Sequence, residues 1–389
     1  MDRYLTRALE LEDDIITWRR YIHEHAETGD EVPMTAAYIK SRLDEFGIAY
    51  TEPWRGGVVA ELGRGGGKTL LLRADTDALP HTEQSGEPFA CKTGASHSCG
   101  HDIHTASLLG AARILKENES ELEGTVRLCF QPDEERIFGA EAMIKAGVMN
   151  GVDAAVGYHV NIPLPAGDFN VRPGGYLASS DIFEIKVSGA AAHGSMPEIG
   201  VDALLAGVKI VDAVQGITTR EINALTPVVI TFGSFNAGQA ANVMPGEATL
   251  SGTIRAFLPE TREFARRRLE EVAAKTAEAH RATAEVKWLS CTPPVFNDPQ
   301  LTQDITKWLG EAVGPQHVHA RDLMLKASDD FAYYGELGVP AVMYHIGAGM
   351  LEDGFGPGLH NPRCRFDERT LAPAAAGAAV VAREYLRQK

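Results

Sequence analysis

The chain has 389 residues, of which 44% are hydrophobic and 23% are charged, and its net charge is −16. This length predicts two domains, and the composition is typical of a globular protein. The acidic balance, without any stripe of Lys or Arg, argues against nucleic acid or a membrane surface as a partner. No apolar run approaches the roughly 20 residues of a membrane span.

The start of the chain and its cysteines indicate a compartment. Met1–Leu5 shows no apolar signal-peptide core. The five cysteines are odd in number and contain no Cys-x-x-Cys pair, which argues against a disulfide framework. We therefore expect a reduced, cytoplasmic protein.

The first half of the chain alternates between helical and strand-like patterns. Amphipathic helices are predicted over 5–21 and 35–46, with Gly47 as the C-cap of the second. Apolar strands and helices then follow in turn, at 58–62, 69–72, 103–117 (helix), 126–130, 139–146 (helix) and 152–160. Such alternation predicts an α/β domain with a mostly parallel sheet, in which ligands bind beyond the carboxyl ends of the strands.

The middle of the chain has a different pattern. Strands and helices are predicted there in the order βαββαβ, at 182–187, 202–214 (helix), 228–232, 248–254, 261–279 (helix) and 284–288. This order is ferredoxin-like. The α/β pattern resumes after Pro293-Pro294. We therefore predict that residues 181–291 form a domain inserted into a discontinuous larger domain of residues 1–180 and 292–389.

The segment from Ser96 to Leu109 carries the strongest chemical signal. It places Cys99, His101, Asp102 and His104 within six residues, directly before an apolar run. Thiolate and imidazole groups at this spacing are ligands for a divalent transition metal. The segment therefore predicts a metal site where a loop meets a helix.

Four other places offer metal-binding or acid–base groups where a predicted strand ends. These are Asp75 with Asp77, the acidic run Asp133–Glu135, His159, and His360 in a Gly-rich loop. Adjacent carboxylates such as Glu134 and Glu135 do not both stay ionised unless a cation neutralises them. Beside a dinuclear metal site, one can bind metal while the other takes a proton from water.

Several ordered motifs together resemble one family of enzymes. The matching segments are Arg73–Pro80, Cys99–Ala106, Gln131–Glu135, Arg19–His23, Ala192–Pro197, Asn242–Pro245, Gly252–Arg255, Asp329–Phe331 and Leu359-His360. They resemble the dinuclear-metal amidohydrolases and peptidases that include hippurate hydrolases, indole-acetyl-amino-acid hydrolases, bacterial aminoacylases and N-acetyl-diaminopimelate deacetylases. The resemblance runs through nearly the whole chain.

The resemblance implies a fold and a set of site residues. The fold would be a zinc-exopeptidase-like α/β catalytic domain with an inserted ferredoxin-like lid through which two copies dimerise. The implied metal ligands are Cys99, His101, Glu135, His159 and His360. Glu134 would be the general base and His193 would stabilise the oxyanion, while Asn242 and Arg255 would hold the substrate.

The remaining polar residues of the motifs have supporting roles in this interpretation. We expect Asp75, Asp77, Asp102 and His104 to orient the ligands rather than to bind metal. The cofactors would be two divalent ions per subunit, zinc or manganese, with cobalt and nickel as alternatives.

This chain departs from the family pattern at four places. Asp133 stands where Ala is usual, Arg136-Ile137-Phe138 replaces a Gly-rich stretch, Ala26 replaces a common Pro, and Asp329 replaces a common Glu. These changes leave the implied ligands intact, so they bear on substrate specificity more than on the class of reaction.

We therefore predict a metal-dependent amidohydrolase that cleaves the amide of an N-acyl amino acid or a related small conjugate, so that its partner is a small N-acyl amino acid or dipeptide-like substrate. One alternative is a small-peptide exopeptidase of the same family. A second is a cysteine hydrolase that uses Cys99 with His101 and Asp102, which chelators would spare. A third is a non-catalytic protein that binds metal or a small ligand, for which the extra carboxylate of Glu134 has no purpose.

Overall fold

A computed structural model describes residues 2–321 and 325–388. In these two ranges the α-helices are α1 (Arg3–Glu10), α2 (Glu12–Glu24), α3 (Pro33–Phe46), α4 (His101–Glu117), α5 (Gly139–Lys145), α6 (Ala203–Gly216), α7 (Pro259–Ala279), α8 (Pro299–Val313), α9 (Ala332–Gly335) and α10 (Leu371–Arg387). The prediction of one continuous helix over 5–21 is wrong, because the helix is interrupted at Leu11, which separates α1 from α2. Gly47 caps α3 in the left-handed conformation, with φ 69°, as predicted.

The strands of the same two ranges fall into one large sheet and several smaller ones. They are β1 (Tyr50–Trp54), β2 (Gly57–Gly63), β3 (Lys68–Asp75), β4 (Gly124–Gln131), β5 (Ala154–Asn161), β6 (Phe169–Asn170), β7 (Gly174–Leu177), β8 (Ser180–Ser188), β9 (Ala192–His193), β10 (Val228–Ala237), β11 (Val243–Met244), β12 (Glu247–Ala256), β13 (Thr283–Thr292), β14 (Val295–Asn297), β15 (Val318–His319) and β16 (Ala341–Gly347). No helix found there is both long and apolar enough to cross a membrane.

The large sheet has the strand order β1-β2-β4-β3-β5-β16-β6-β15. Its centre is parallel, since β3 runs parallel to β4 and β5, and β5 runs parallel to β16. The antiparallel pairs β1–β2 and β2–β4 lie on one side, and β16–β6 on the other. The expected α/β fold with a mostly parallel central sheet is confirmed.

Helices α4 and α10 pack closely beside this sheet. Both are buried along most of their length, so each carries apolar or small residues on nearly every face. A Cβ at Gly110 of α4 would lie 2.8 Å from the Cβ of Ala375 in α10, so the absence of a side chain permits the close approach. This packing fixes α4, whose first residue is His101.

A second sheet is fully antiparallel and has the order β10-β12-β8-β13. Counted along the chain its strands are 2-3-1-4, which is the ferredoxin-like arrangement. Helices α6 and α7 pack on it over a core that includes Phe183, Ile185 and Leu250. The chain forms two compact units: Gly175–Phe296 with Met324–Ser328, and Met1–Gly174 with Asn297–Leu323 and Asp329–Lys389.

Candidate metal centre

Three parallel strands of the large sheet end at the same edge. β3 ends at Asp75, β4 at Gln131 and β5 at Asn161. Because β3 is paired in parallel with both neighbours, their carboxyl ends meet. The predicted carboxylates and His159 therefore gather at this edge, where α4 begins with His101.

The five predicted metal ligands lie close together. The Cys99 Sγ is 3.5 Å from the His159 Nε2 and 3.3 Å from the His360 Nε2. The Glu135 Oε1 is 3.5 Å from the His360 Nε2 and 3.9 Å from the His101 Nε2. Segments up to 261 residues apart in the chain thus bring one thiol, one carboxylate and three imidazoles to a single place.

The state of these donor atoms fits a metal. Within the described part of the chain, the buried His101 Nε2 and Glu135 Oε1 have no hydrogen-bond partner. The other nitrogen of His101 donates to the Asp77 carbonyl at 2.8 Å, and the His159 Nδ1 donates to the Val160 carbonyl at 2.8 Å. When the rings are neutral, both Nε2 atoms therefore have a lone pair directed into the cluster, which is the usual arrangement for ligand histidines.

Asp77 contacts both His101 and the Glu134-Glu135 pair, through its backbone carbonyl and its side-chain carboxylate. Its carbonyl accepts from the His101 ring, while its carboxylate accepts the backbone N–H groups of Glu134 and Glu135 at 3.0 and 3.2 Å. Asp77 therefore holds the His101 ring and the backbone of both glutamates in place. Its carboxylate is used by these hydrogen bonds and is not one of the predicted metal ligands. A supporting role for Asp77 stays a prediction that these contacts favour.

His104 has no lone pair available for a metal. Its Nδ1 donates to the Asp75 Oδ1 at 2.5 Å, and its Nε2 accepts the Val160 backbone N–H at 2.9 Å. The Asp75 Oδ2 accepts from Arg73 at 2.6 Å and lies 3.8 Å from the His101 Nε2. His104 and Asp75 thus connect α4, β3 and β5 behind the ligands.

Asp102 is buried one residue after His101 and faces away from the ligand cluster toward α2. Its Oδ2 accepts from the Arg19 Nε at 2.6 Å and from the His23 Nδ1 at 2.8 Å. The other His23 nitrogen pairs with Glu83 at 2.9 Å. Sequence analysis missed Arg19 and His23 as anchors of α4, although both lie in a matching motif.

The electrostatics of the cluster favour a cation. Burial raises the pKa of Glu134 well above its usual range, and the charges of Asp329 and Glu135 raise it further. Burial and the charges of Glu135 and Glu134 likewise raise the pKa of the Cys99 thiol. Burial and the charge of His104 keep the pKa of His159 well below its usual range, so that its imidazole is neutral. A bound divalent ion would compensate the carboxylates and favour the thiolate.

A buried cluster around Arg73 borders Glu134 and was not predicted from the sequence. The fully buried Arg73 guanidinium donates to Asp75 at 2.6 Å, to Asp330 at 2.8 Å and to the Gln131 Oε1 at 3.0 Å. Carboxylate oxygens of Glu134, Asp329 and Asp330 lie within 4.8 Å of one another. A signal was present in the sequence, because a charged residue inside the apolar run 70–74 requires a buried partner.

The other predicted site residues belong to the second unit. His193 on β9 pairs with Val243 on β11, and the Asn242 carbonyl accepts the Gly194 N–H at 2.8 Å, so His193 and Asn242 are neighbours. Arg255 lies on β12, where its Nη1 is 3.4 Å from the Ser179 carbonyl.

Comparisons with known proteins agree with this geometry. Peptidase family M20/M25/M40 matches residues 71–384. The chain is 36% identical to an N-acetylcysteine deacetylase of Bacillus subtilis, over 93% of this chain and 94% of that protein. It is 35% identical to IAA-amino acid hydrolase ILR1-like 4 of Arabidopsis thaliana, over 99% of this chain and 89% of that protein.

A solved structure extends the likeness to three dimensions. A Bacillus subtilis protein described as a dinuclear metal-binding peptidase superposes with a TM-score of 0.85 at 34% identity, covering 98% of this chain and 99% of that one. The match spans the strand edge and α4, where the candidate ligands lie. The chain belongs to peptidase family M20/M25/M40.

Proposed function

We propose that this protein is a metal-dependent amidohydrolase that cleaves the amide bond of N-acyl amino acids. The observation that carries the proposal is the position of Glu134, a buried carboxyl with an oxygen within 4.8 Å of the candidate ligand atoms of His101 and Glu135. The printed names of two relatives, an N-acetylcysteine deacetylase and an IAA-amino acid hydrolase, support amide cleavage of amino-acid conjugates.

Cys99, His101, Glu135, His159 and His360 would hold two divalent ions, with Cys99 bridging them. The distances of its Sγ to both His159 and His360 support the bridging role. Zinc or manganese suits this mixed set of thiolate, imidazole and carboxylate, and cobalt or nickel would also bind. When bound, the ions would polarise the scissile carbonyl and acidify a water molecule.

Glu134 would move the proton during hydrolysis. Its carboxylate would take a proton from the attacking water and deliver it to the leaving amine nitrogen. This double transfer needs a group whose pKa is raised toward neutrality. Burial and the adjacent carboxylates act in that direction on Glu134. Asp77 holds the Glu134 backbone and so limits the motion of the carboxyl.

The second unit would supply groups for substrate. The Ser195 N–H donates to the His193 Nδ1 at 3.1 Å, so the ring proton resides on Nε2 and is available to a developing oxyanion. Asn242 and Arg255 would hold the amino-acid carboxylate, which a planar guanidinium can bind through two hydrogen bonds.

We further propose a cytoplasmic homodimer formed through the inserted unit. All five cysteines are free thiols, which supports a reducing compartment.

The surface of the inserted unit supports the homodimer. Strand β10 is an edge of its sheet, and α6 exposes Leu204, Leu205 and Val208. Light scattering should give twice the 41.9 kDa of one chain, and Leu205→Lys should give one chain mass. A Leu9→Lys control on α1 should stay dimeric.

The decisive experiment combines metal analysis with a hydrolysis screen. The purified protein should contain two ions per chain and release the amino acid from N-acetyl, N-benzoyl or indole-acetyl amino acids. Phenanthroline or EDTA should abolish turnover, and added metal should restore it. Turnover that survives complete metal removal would favour a cysteine hydrolase, while exclusive cleavage of dipeptides would favour an exopeptidase.

A further inference from the structure

The segment that contains the two glutamates, residues 133–138, has an unusual backbone. Asp133 and Ile137 both adopt positive φ angles, 68° and 62°. Ile137 is β-branched, and a β-branched residue in this region is a genuine outlier. Such strain persists only when the surroundings enforce it, and it concentrates at functional sites.

Side-chain contacts enforce this path. The Arg136 guanidinium bonds to the carboxylates of both Asp133 and Asp30. It fits there because position 29 is glycine: a Cβ on Gly29 would lie 2.5 Å from the Arg136 Cζ. Arg136, which holds this path, is one of the residues that stand where the family pattern has a Gly-rich stretch.

Backbone bonds and one further glycine close the turn. The Ile137 N–H donates to the Glu134 carbonyl at 2.7 Å, and the Gly139 N–H donates to the Asp133 carbonyl at 3.0 Å. A Cβ on Gly139 would lie 1.9 Å from the Pro132 carbonyl oxygen. The chain after Glu135 is therefore folded back toward Glu134 in one fixed conformation.

The turn exposes apolar side chains to solvent beside Asp133, Glu134 and Glu135. Phe138 is 64% exposed, and Ile137 is half-buried. Because Phe138 is exposed, this strained turn adds little buried apolar area to the core of the protein. An apolar ligand group that covered the ring would remove this surface from water.

The charges around the turn indicate which half of the substrate it would meet. Asp30, Asp133, Glu134 and Glu135 are all acidic, and the two arginines beside Asp30, Arg136 and Arg55, are already bonded to carboxylates. The arginines at the turn therefore offer no free cation to the carboxylate of an amino acid. An uncharged acyl group needs no such cation.

We propose that Ile137 and Phe138 form an apolar contact for the acyl group, and that Phe138 makes the enzyme prefer aromatic or long aliphatic acyl groups to acetyl. This inference rests on the proposed amidohydrolase function. Phe138 is a specificity-determining residue in this proposal, and Arg136 is a positioning residue that holds the turn.

The test compares kcat/KM for N-benzoyl-alanine and N-acetyl-alanine in the metal-loaded enzyme. Wild type should prefer the benzoyl substrate. Phe138→Ala should lose about tenfold on that substrate, the scale of one apolar contact, and change less than twofold on the acetyl substrate. Phe138→Leu should retain most of the preference. Leu9→Ala, which removes an exposed apolar side chain from α1, should change neither value.

The outcomes separate this inference from the proposed function. If wild type hydrolyses both substrates and Phe138→Ala lowers both equally or neither, Phe138 does not select the acyl group and the inference is wrong. The same holds if wild type prefers the acetyl substrate. If metal-loaded wild type hydrolyses no N-acyl amino acid, the proposed function is wrong and the inference fails with it.

Discussion

Glu134 and Glu135 are adjacent in the chain but have different surroundings. The Glu135 carboxyl faces His101 and His360, at 3.9 and 3.5 Å. The Glu134 carboxyl also lies 3.9 Å from His101 but borders Asp329 and Asp330. Asp77 fixes both backbone N–H groups, so this difference is built into the turn. These surroundings support the proposed roles, in which Glu135 binds metal and Glu134 transfers the proton.

Replacing Glu134 by Gln should separate binding from chemistry. The amide keeps the size of the side chain but cannot accept the proton of water, so kcat should fall at least about 100-fold. Metal content should stay at two ions per chain, because Glu134 is not among the proposed ligands. Metal analysis and steady-state kinetics on the same sample check both statements. Near-normal kcat would remove Glu134 as the general base.

Replacing Cys99 by Ser should reduce the metal content itself. A hydroxyl does not ionise as a thiol does, and the bridging position would lose its anionic ligand. We expect fewer than two tightly bound ions per chain and a matching loss of kcat. Cys91→Ser alters another buried thiol and should leave both ions in place. Full metal occupancy and activity in Cys99→Ser would contradict the bridging role.

Helix α4 is the element on which the site depends most. Its first residue is His101, and Asp102 ties it to Arg19 and His23 of α2. Gly100 precedes it with φ 89°, where a Cβ would lie 2.3 Å from the Val160 side chain. The helix therefore begins in one place, set by a charge cluster on one side and by close contact with β5 on the other.

His23 should make stability depend on pH. Burial alone would lower the pKa of His23, but the charge of Asp102 and hydrogen bonds to Asp102 and Glu83 raise it from 6.5 to about 8. A raised pKa gives stability that is fully present below pH 6.5 and is lost as pH rises through 8. The difference corresponds to about 2 kcal/mol of unfolding free energy.

Chemical denaturation of wild type and His23→Gln measures this contribution. The free energy of unfolding of wild type should exceed that of the variant by about 2 kcal/mol more at pH 6 than at pH 9. Both proteins should carry the same metal load at both pH values. A gap that does not change with pH would mean that the pKa of His23 is the same in the folded and the unfolded protein.

Gly100→Ala should displace the start of α4. The added methyl meets Val160, and alanine is strained at φ 89°, so we expect a loss of roughly 1–3 kcal/mol in unfolding free energy. Metal affinity should fall too, because Cys99 and His101 flank this position. Gly216→Ala is the matched control, since Gly216 has φ −61° and open space around it. That variant should be neutral or slightly stabilising, and a similar loss in both would contradict the argument.

At the scale of the whole molecule, local patterns predicted more than distant contacts. The alternation of strands and helices predicted the central sheet, and the spacing of Cys99 and His101 predicted donors at the start of α4. The Arg73–Asp330 contact joins residues 257 positions apart, and its geometry depends on packing that no local pattern encodes. The break at Leu11 was missed because both of its flanks continue an amphipathic pattern.

The candidate ligands join loops and strands from distant parts of the larger unit. Burial raises the pKa values of the Cys99 thiol and of both glutamates there, so holding these groups in their charged forms without a cation costs free energy. Bound ions would neutralise this charge and would link the segments that carry residues 99, 135, 159 and 360. Metal should therefore stabilise the whole larger unit and not only the site.

Removing the metal should lower the Tm, and the size of the decrease should depend on the Glu135 side chain. At a free metal concentration about 1,000 times Kd, one bound ion adds roughly 4 kcal/mol to the free energy of unfolding. Calorimetry of wild type should show a lower Tm after dialysis against EDTA and full recovery when metal returns. Glu135→Gln removes a proposed ligand and a charge, so its Tm should depend less on metal, and its metal-free form should be at least as stable as metal-free wild type. An equal metal-induced rise of Tm in both proteins would place the stabilising ions elsewhere in the molecule.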